Sequence, residues 1–278
     1  MQDAEAETLL TGLLDAARRA GADAADAIVY NAVSSSVSWR LGALEDVERS
    51  EARDLGLRIL VGRRQASVST TDLSPSGLAE LVERCAAMAK AAPEDPYCGL
   101  APADRLARGP FPELDLGDFN EPDTETLKRR ASACEAAALA VDGVVNSSGA
   151  SAGYGEGRKW FATSAGFFGA SGGAHHSVSV SVLAQDANGM ERDYDYDSKT
   201  HYVDMRAPEA IGARAGERAV ARLSPRKVKS QSAPVIFDKR LSASLLSALA
   251  GAVNGASVAR GVSFLKDRKG QRLFPKGV

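Results

Sequence analysis

Few side chains in this sequence are suited to metal chemistry, and the three histidines come first. They are His175, His176 and His201. His175 and His176 are adjacent, and neighbouring residues of a strand point to opposite faces of a sheet, so the two rings cannot easily hold one ion. A metal site built on these histidines would need ligands from elsewhere. An enzyme with such a site is one alternative that the sequence leaves open.

An acidic run, ERDYDYD at residues 191–197, is the second group of reactive side chains. Strand geometry would place Asp193, Asp195 and Asp197 on one face. A row of carboxylates could bind a cation, or one of them could act as a general base. A solvated acidic face is the ordinary interpretation, and contact with a basic partner strand is the alternative.

Cysteine, serine and glycine patterns argue against three further kinds of site. Cys85, Cys98 and Cys134 are widely spaced and form no CxxC pair, which is typical of reduced thiols. No GxSxG nucleophile motif occurs. The glycine-rich residues 153–157 and 166–173 lack the spacing of a phosphate-binding loop, so we expect turns between antiparallel strands there.

Two hydrophobic periodicities predict the elements that carry these residues, in an α+β fold of antiparallel sheets with flanking helices. Helical spacing covers residues 5–20, 76–91, 124–141, 208–223 and 239–252. Strand-type alternation covers residues 27–70 and 143–197, and a short buried strand is predicted at 234–237. Asp123 is a predicted N-cap, and Asn188-Gly189 predicts a type I′ hairpin turn.

Proline placement divides the chain. Six of the 11 prolines lie between Pro93 and Pro122, where neither a long helix nor a central strand can form. We therefore predict an N-terminal α+β unit at 1–92, an extended connector at 93–122 and a central α+β unit at 123–223. Residues 224–278 would begin a C-terminal domain.

Composition excludes several classes of protein. The chain of 278 residues has 34 Lys and Arg against 36 Asp and Glu, a net charge of −2, whereas a free nucleic-acid-binding domain has a basic excess. It has no apolar run of about 18 residues, so no membrane span is expected. The acidic N-terminus lacks the pattern of a signal peptide, and a cytoplasmic protein is expected.

The last part of the sequence carries recognisable motifs. It contains LSPRK, then APVIF, then a helical stretch and ARGVSFLKDRKGQ. This arrangement resembles the TldD/TldE (PmbA) family of metalloproteases, in particular its TldE/PmbA branch, which is also called modulator of DNA gyrase. The strands SVSVSVLAQDANGMERDYDY and the N-terminal helix and strands fit the same family, so the resemblance covers essentially the whole chain.

The resemblance implies that this chain has no zinc site of its own. In the TldD branch, the helix after the apolar strand carries His-Glu-x-x-x-His, whose histidines bind zinc and whose glutamate activates water. The aligned positions here are Ser247 and Ala252 in place of the histidines and Ala248 in place of the glutamate. Such side chains supply neither zinc ligands nor a base. No catalytic residue and no cofactor are therefore expected in this chain.

The family also implies a partner and a substrate. A TldE-like chain would form a heterodimer with a zinc-bearing, TldD-like catalytic subunit that acts on unfolded peptides, in peptide maturation and antitoxin turnover. A stand-alone peptide-binding module is the alternative. The candidate contacts with peptide or partner are Arg260, Ser263, Phe264, Asp193 and Asp195. Because family members are longer, a C-terminally truncated chain is expected.

Overall fold

Six antiparallel strands form a single sheet in the first of two units, Met1–Pro225. They are β1 (Ala24–Arg40), β2 (Ala43–Val61), β3 (Arg64–Thr70), β4 (Val144–Thr163), β5 (Phe168–Asp186) and β6 (Gly189–Lys199). Their spatial order is β3-β2-β1-β4-β5-β6. The computed structural model describes residues 1–276, and the second unit is Arg226–Val278.

One helix precedes and one follows each half of this sheet. They are α1 (Asp3–Arg19), α2 (Pro75–Ala91), α3 (Thr124–Leu139) and α4 (Pro208–Ala221). Both halves run helix, three strands, helix, so the two predicted α+β blocks share one continuous sheet. The predicted α+β class, with antiparallel strands and flanking helices, is confirmed.

Local capping explains where two of these helices begin. Ser74 caps α2 by accepting the Gly77 N–H at 3.1 Å, with Pro75 in the first turn. Asp123 caps α3 by accepting the Thr126 N–H at 2.7 Å, which confirms the predicted cap.

None of the helices within residues 1–276 combines the length and apolar composition that a bilayer crossing requires.

All four helices pack on the same face of the sheet. Residues an even number apart along a strand share a face, and Val29 and Val37 of β1 are both fully buried. Val29 packs in the core beneath α1 and α2, and Val37 packs in the core beneath α3 and α4. The opposite face carries exposed side chains such as Tyr30 and His175. We call these the helix face and the open face.

The proline-rich connector crosses the helix face in extended form. The Leu116 carbonyl accepts the Ala174 N–H of β5 at 2.9 Å. Further along, the Glu121 carboxylate accepts the Ser35 hydroxyl of β1 and the Arg49 Nε–H, the latter at 2.8 Å. These contacts fix the connector on the strands that both helix pairs share.

The turn between β5 and β6 differs from the prediction. Asp186 pairs with Gly189, so the two loop residues are 187 and 188 rather than Asn188-Gly189. The Asp186 carboxylate accepts the N–H groups of Asn188 at 2.8 Å and Gly189 at 3.0 Å. This side-chain capping, rather than a type I′ backbone at Asn188-Gly189, closes the hairpin.

The glycine-rich segments are strands rather than turns, except at Gly166. Residues 153–157 lie inside β4, and residues 168–173 lie inside β5. The His175 ring lies over Gly155, and the Tyr30 ring lies over Gly157, where an added Cβ would be 2.8 Å from a ring carbon. Glycine is needed there because aromatic rings of neighbouring strands cover the backbone.

The second unit contains α5 (Ser242–Ala252) and α6 (Gly255–Ala259). The helix predicted over 239–252 is confirmed, with a 3₁₀ turn at Lys239–Leu241 before it. The buried strand predicted at 234–237 is wrong, because Val235 and Ile236 are 76% and 94% exposed. A strand needs a neighbour for its backbone groups, and residues 226–276 contain no strand beside this segment.

A buried carboxylate fixes the turn between β1 and β2. Leu41 and Gly42 both have positive φ, 50° and 78°, as a type I′ turn requires. Glu135 of α3, only 1% exposed, accepts the Leu41 and Gly42 N–H groups at 3.0 Å each. The contact joins the tip of the first hairpin to a helix of the second half.

Replacing Glu135 with alanine should therefore destabilise the first unit. Glu135→Ala removes both charged hydrogen bonds to the turn, and we expect the free energy of unfolding to fall by about 2 kcal/mol. Urea unfolding followed by circular dichroism measures this. Glu125→Ala on the exposed face of α3, which breaks only a surface pair with Lys128, should change stability by less than about 0.5 kcal/mol. Equal effects of the two variants would show that the turn does not depend on Glu135.

Candidate functional site

The three positions that the resemblance aligns with a zinc motif lie on α5. Ser247 and Ala248 are exposed, and Ala252 is buried. Their side chains offer one hydroxyl and two methyl groups, whereas zinc in proteins takes nitrogen, thiolate or carboxylate ligands. The residues present at these three positions do not fit a zinc ion.

The candidate contact residues after α6 have different environments. Ser263 is buried, and its Oγ donates to the Ala252 carbonyl at 2.6 Å and accepts the Leu265 N–H at 3.0 Å. Ser263 therefore holds α5 to the segment that follows α6. Arg260 is exposed and Phe264 is 83% exposed, and their contact with a peptide or partner remains a prediction.

The acidic run on β6 faces α4 rather than solvent. Asp195 lies 2.6 Å from Arg218 Nη1 and 2.7 Å from Arg206 Nη1, and Asp193 lies 3.5 Å from Arg222 Nη1. Asp193 and Asp195 are each 5% exposed, so the interpretation as a solvated acidic face is wrong. A peptide or partner could reach these carboxylates only by displacing the arginines.

A buried polar cluster around His176 is absent from the sequence-based expectations. The His176 Nε2 is hydrogen-bonded to Asp118 of the connector. The His176 ring centroid lies 5.1 Å from that of Tyr154 and 5.5 Å from that of Tyr202. The Arg130 guanidinium of α3 lies 3.4 Å from the Tyr202 ring centroid, a cation–π contact. The connector, α3, β4, β5 and the segment after β6 thus each contribute one residue to this cluster.

The electrostatics of this cluster favour a structural role, in which it holds the connector against the sheet. Burial favours the neutral form of Asp118, but the hydrogen bonds from His176 and the Tyr202 N–H outweigh it and lower the Asp118 pKa. Burial lowers the Arg130 pKa. The His176 side chain is 2% exposed and that of Asp118 is 28% exposed, so the imidazole is closed off from solvent while the pair holds the connector onto β5. In the sequence, strand alternation already placed His176 and His175 on opposite faces of the sheet. No sequence pattern indicated that Asp118 would be the partner of His176.

The three histidines do not converge on one metal. His176 contacts Asp118, and His201 Nε2 lies 3.1 Å from Asp115, while His175 lies on the open face. Within residues 1–276, no group of three or more histidine, cysteine, aspartate or glutamate side chains is placed to hold a metal ion. Cys85 and Cys134 are buried, and burial raises the Cys134 pKa to about 12.

Comparison with known protein families gives three matches in order along the chain. Residues 25–89 match the PmbA/TldA metallopeptidase domain 1. Residues 117–223 match the PmbA/TldA metallopeptidase central domain, and residues 230–278 match the PmbA/TldA metallopeptidase C-terminal domain. The central-domain match begins inside the connector, next to Asp118, and ends just after α4.

Individual relatives agree with these matches. The chain is 35% identical to the metalloprotease PmbA of Escherichia coli O157:H7 over 91% of its length, and 31% identical to a PmbA homologue of Haemophilus influenzae over 99%. It spans 56% and 60% of those two proteins. A crystal structure of a proposed modulator of DNA gyrase from Bacteroides thetaiotaomicron superposes with a TM-score of 0.86 at 26% identity, covering 94% of this chain and 60% of that one.

Proposed function

The chain belongs to the PmbA/TldD metallopeptidase family, and on that premise we propose that it is the non-catalytic, TldE/PmbA-type subunit of a zinc metallopeptidase complex. The observation that carries the proposal is the side-chain chemistry of α5, where Ser247, Ala248 and Ala252 offer no zinc ligand and no base. A TldD-like partner would supply the zinc ion and the glutamate that activates water.

In this proposal the chain binds the partner and helps to hold unfolded peptides. The substrates would be peptide precursors and small unstructured proteins such as antitoxins, in the cytoplasm. The net charge of −2 agrees with a protein that has no need to bind DNA itself. The Bacteroides relative is described as a modulator of DNA gyrase. Such an effect on gyrase would then be indirect, through the proteins that the complex degrades.

Co-expression tests this proposal. The full chain is produced alone and together with a TldD-like protein that carries His-Glu-x-x-x-His. Size-exclusion chromatography with light scattering measures complex formation, mass spectrometry of metals measures zinc per chain, and cleavage of an unfolded protein measures activity. We expect zinc and cleavage only when the partner is present. A partner whose glutamate is replaced by glutamine is the control and should bind this chain without cleaving.

Two results would overturn the proposal. Stoichiometric zinc or cleavage with the isolated chain would mean that a metal site exists elsewhere in it. A failure to associate with any TldD-like protein, combined with peptide binding by the chain alone, would favour the stand-alone peptide-binding module.

A further inference from the structure

One segment of β5 has an edge that no strand occupies. β6 pairs with β5 from His176 to Asp186, so β5 residues 168–175 have a strand neighbour, β4, on one side only. The Ala174 N–H points away from β4, because it donates to Leu116 of the connector. Residues two apart in a strand direct their backbone groups the same way, so Ala170 and Gly172 also present theirs at this edge.

The connector already uses this edge in the way an added strand would. Leu116 accepts the Ala174 N–H at 2.9 Å, and the Gly117 backbone approaches so closely that an added Cβ would lie 2.7 Å from Ala174. An added Cβ on Gly173 would lie 3.3 Å from the Leu116 carbonyl oxygen. The edge therefore accepts an extended chain at one end, next to Ala174. At residues 170–172, a cavity separates the edge from the connector.

Two cavities flank these residues, one on each face of the sheet. On the helix face, a cavity of about 700 Å³ separates Ala170–Gly172 from the connector, with apolar walls from Leu114, Phe119 and Trp160. On the open face, a cavity of about 380 Å³ lies beside Ser171–Gly173 under Tyr30 and Lys159. A strand added to an edge directs alternate side chains to opposite faces, so its side chains would be directed toward the two cavities in turn.

The charges around the larger cavity select among possible occupants. Glu113, Asp115 and Glu156 line it, and its one arginine, Arg158, lies 2.7 Å from an Asp3 oxygen. The balance is acidic around an apolar wall. An extended chain with an apolar side chain between basic ones on the same face matches this surface in both charge and polarity.

We propose that the β5 edge at residues 170–173 binds an extended polypeptide by strand addition, with apolar and basic side chains directed into the cavity beneath the connector. The inference rests on the proposed function in one respect, that the polypeptide is the substrate held for the catalytic subunit. It assigns a location and a side-chain preference to that binding.

Peptide binding to the isolated full chain tests the site separately from proteolysis. The probe is a fluorescein-labelled peptide of seven residues. Threonine occupies positions 1, 3, 5 and 7, and lysine, leucine and lysine occupy positions 2, 4 and 6. Fluorescence anisotropy should show saturable binding. A probe with glutamate in place of lysine, and one with N-methyl groups that block the backbone donors, should each bind about tenfold more weakly.

Two variants locate the binding. Leu114→Lys adds a positive charge to the cavity at an exposed position, and we expect about tenfold weaker binding of the basic probe. Leu44→Lys, the same change on an exposed leucine near the tip of the first hairpin, should leave binding unchanged. Gly172→Pro removes an edge N–H and should also weaken binding, and Leu114→Lys keeps the test decisive if the proline variant does not fold.

The outcomes separate this inference from the proposed function. Absence of binding up to about 1 mM probe overturns the β5 site, as does binding that Leu114→Lys and Leu44→Lys affect equally. Neither result bears on zinc content or on association with a TldD-like partner. Conversely, probe binding at this edge by a chain that fails to associate with any TldD-like protein would keep the site and overturn the proposed complex.

Discussion

Replacing Gly212 with alanine will destabilise the first unit by about 3 kcal/mol or more. Gly212 lies on α4, where α4 crosses α3. An added Cβ would overlap the carbonyl oxygen of Cys134 and lie 3.0 Å from the Ala138 nitrogen. Both atoms belong to the backbone of α3, so no side-chain rotation can make room, and the two helices must separate.

Separation of these helices would disrupt the core beneath them. Ile211 and Ala215 of α4 are fully buried, and they pack in the same cluster as Leu127 and Ala131 of α3. Moving α4 away from α3 opens gaps in this cluster that the surrounding side chains can fill only in part. Thermal unfolding followed by circular dichroism should show a Tm lower by about 6–12 °C for Gly212→Ala.

A second glycine provides the matched control. Gly12 lies on the exposed side of α1, and an added Cβ there would meet nothing within 4 Å. Alanine has the higher helix propensity, so Gly12→Ala should stabilise the protein by about 0.5–1 kcal/mol. Opposite signs for one chemical change would establish that close packing, rather than propensity, requires glycine at position 212. An unchanged stability for Gly212→Ala would mean that the two helices do not cross at this distance.

The secondary structure could largely be read from the sequence because its signals are local. Apolar spacing located all five long helices to within a few residues, and Asp123 marked the start of α3 through its own side chain. Strand-type alternation over residues 27–70 likewise located β1, β2 and β3. Such signals need only a few neighbouring residues, and those residues are adjacent in the chain.

The pairings that depend on distant residues could not be read in this way. The sequence alone predicts that Asp195 is part of a solvated acidic face. Its ion pairs with Arg206 and Arg218 form only because α4 packs on β6. Asp118 lies in an irregular segment, and its bond to His176 joins residues 58 positions apart. The free edge of β5 likewise depends on where β6 stops pairing, which alternation alone does not specify.

Removal of the Asp195 carboxylate is the second change with a large expected effect. Its side chain is 7% exposed and lies between Arg206 and Arg218, of which Arg218 is itself 17% exposed. Asp195→Ala leaves Arg218 with little access to water and without this carboxylate partner. We expect a loss of about 3 kcal/mol, the lower part of the range for a broken buried pair, because Arg206 can reach solvent.

The pH dependence of this effect has a definite sign. Burial raises the Asp195 pKa, but the hydrogen bonds and charges of Arg206 and Arg218 outweigh it, so the pKa is lowered from 3.8. A carboxylate with a lowered folded-state pKa contributes stability above its unfolded-state pKa and loses it as the pH falls toward the folded value. The difference between wild type and Asp195→Ala should therefore be constant from pH 7 to about 5 and shrink below about pH 4.

Urea unfolding of both proteins between pH 7 and pH 3 measures this difference, with Asp46→Ala on the exposed part of β2 as the control. Asp46→Ala should change stability by less than about 0.5 kcal/mol at every pH, because that carboxylate is in water in both states. A stability difference for Asp195→Ala that persists unchanged at pH 3 would mean that lost packing, rather than the ion pair, is the cause. A difference that shrinks with acid would identify the carboxylate between the two arginines as the contact that holds α4 against β6.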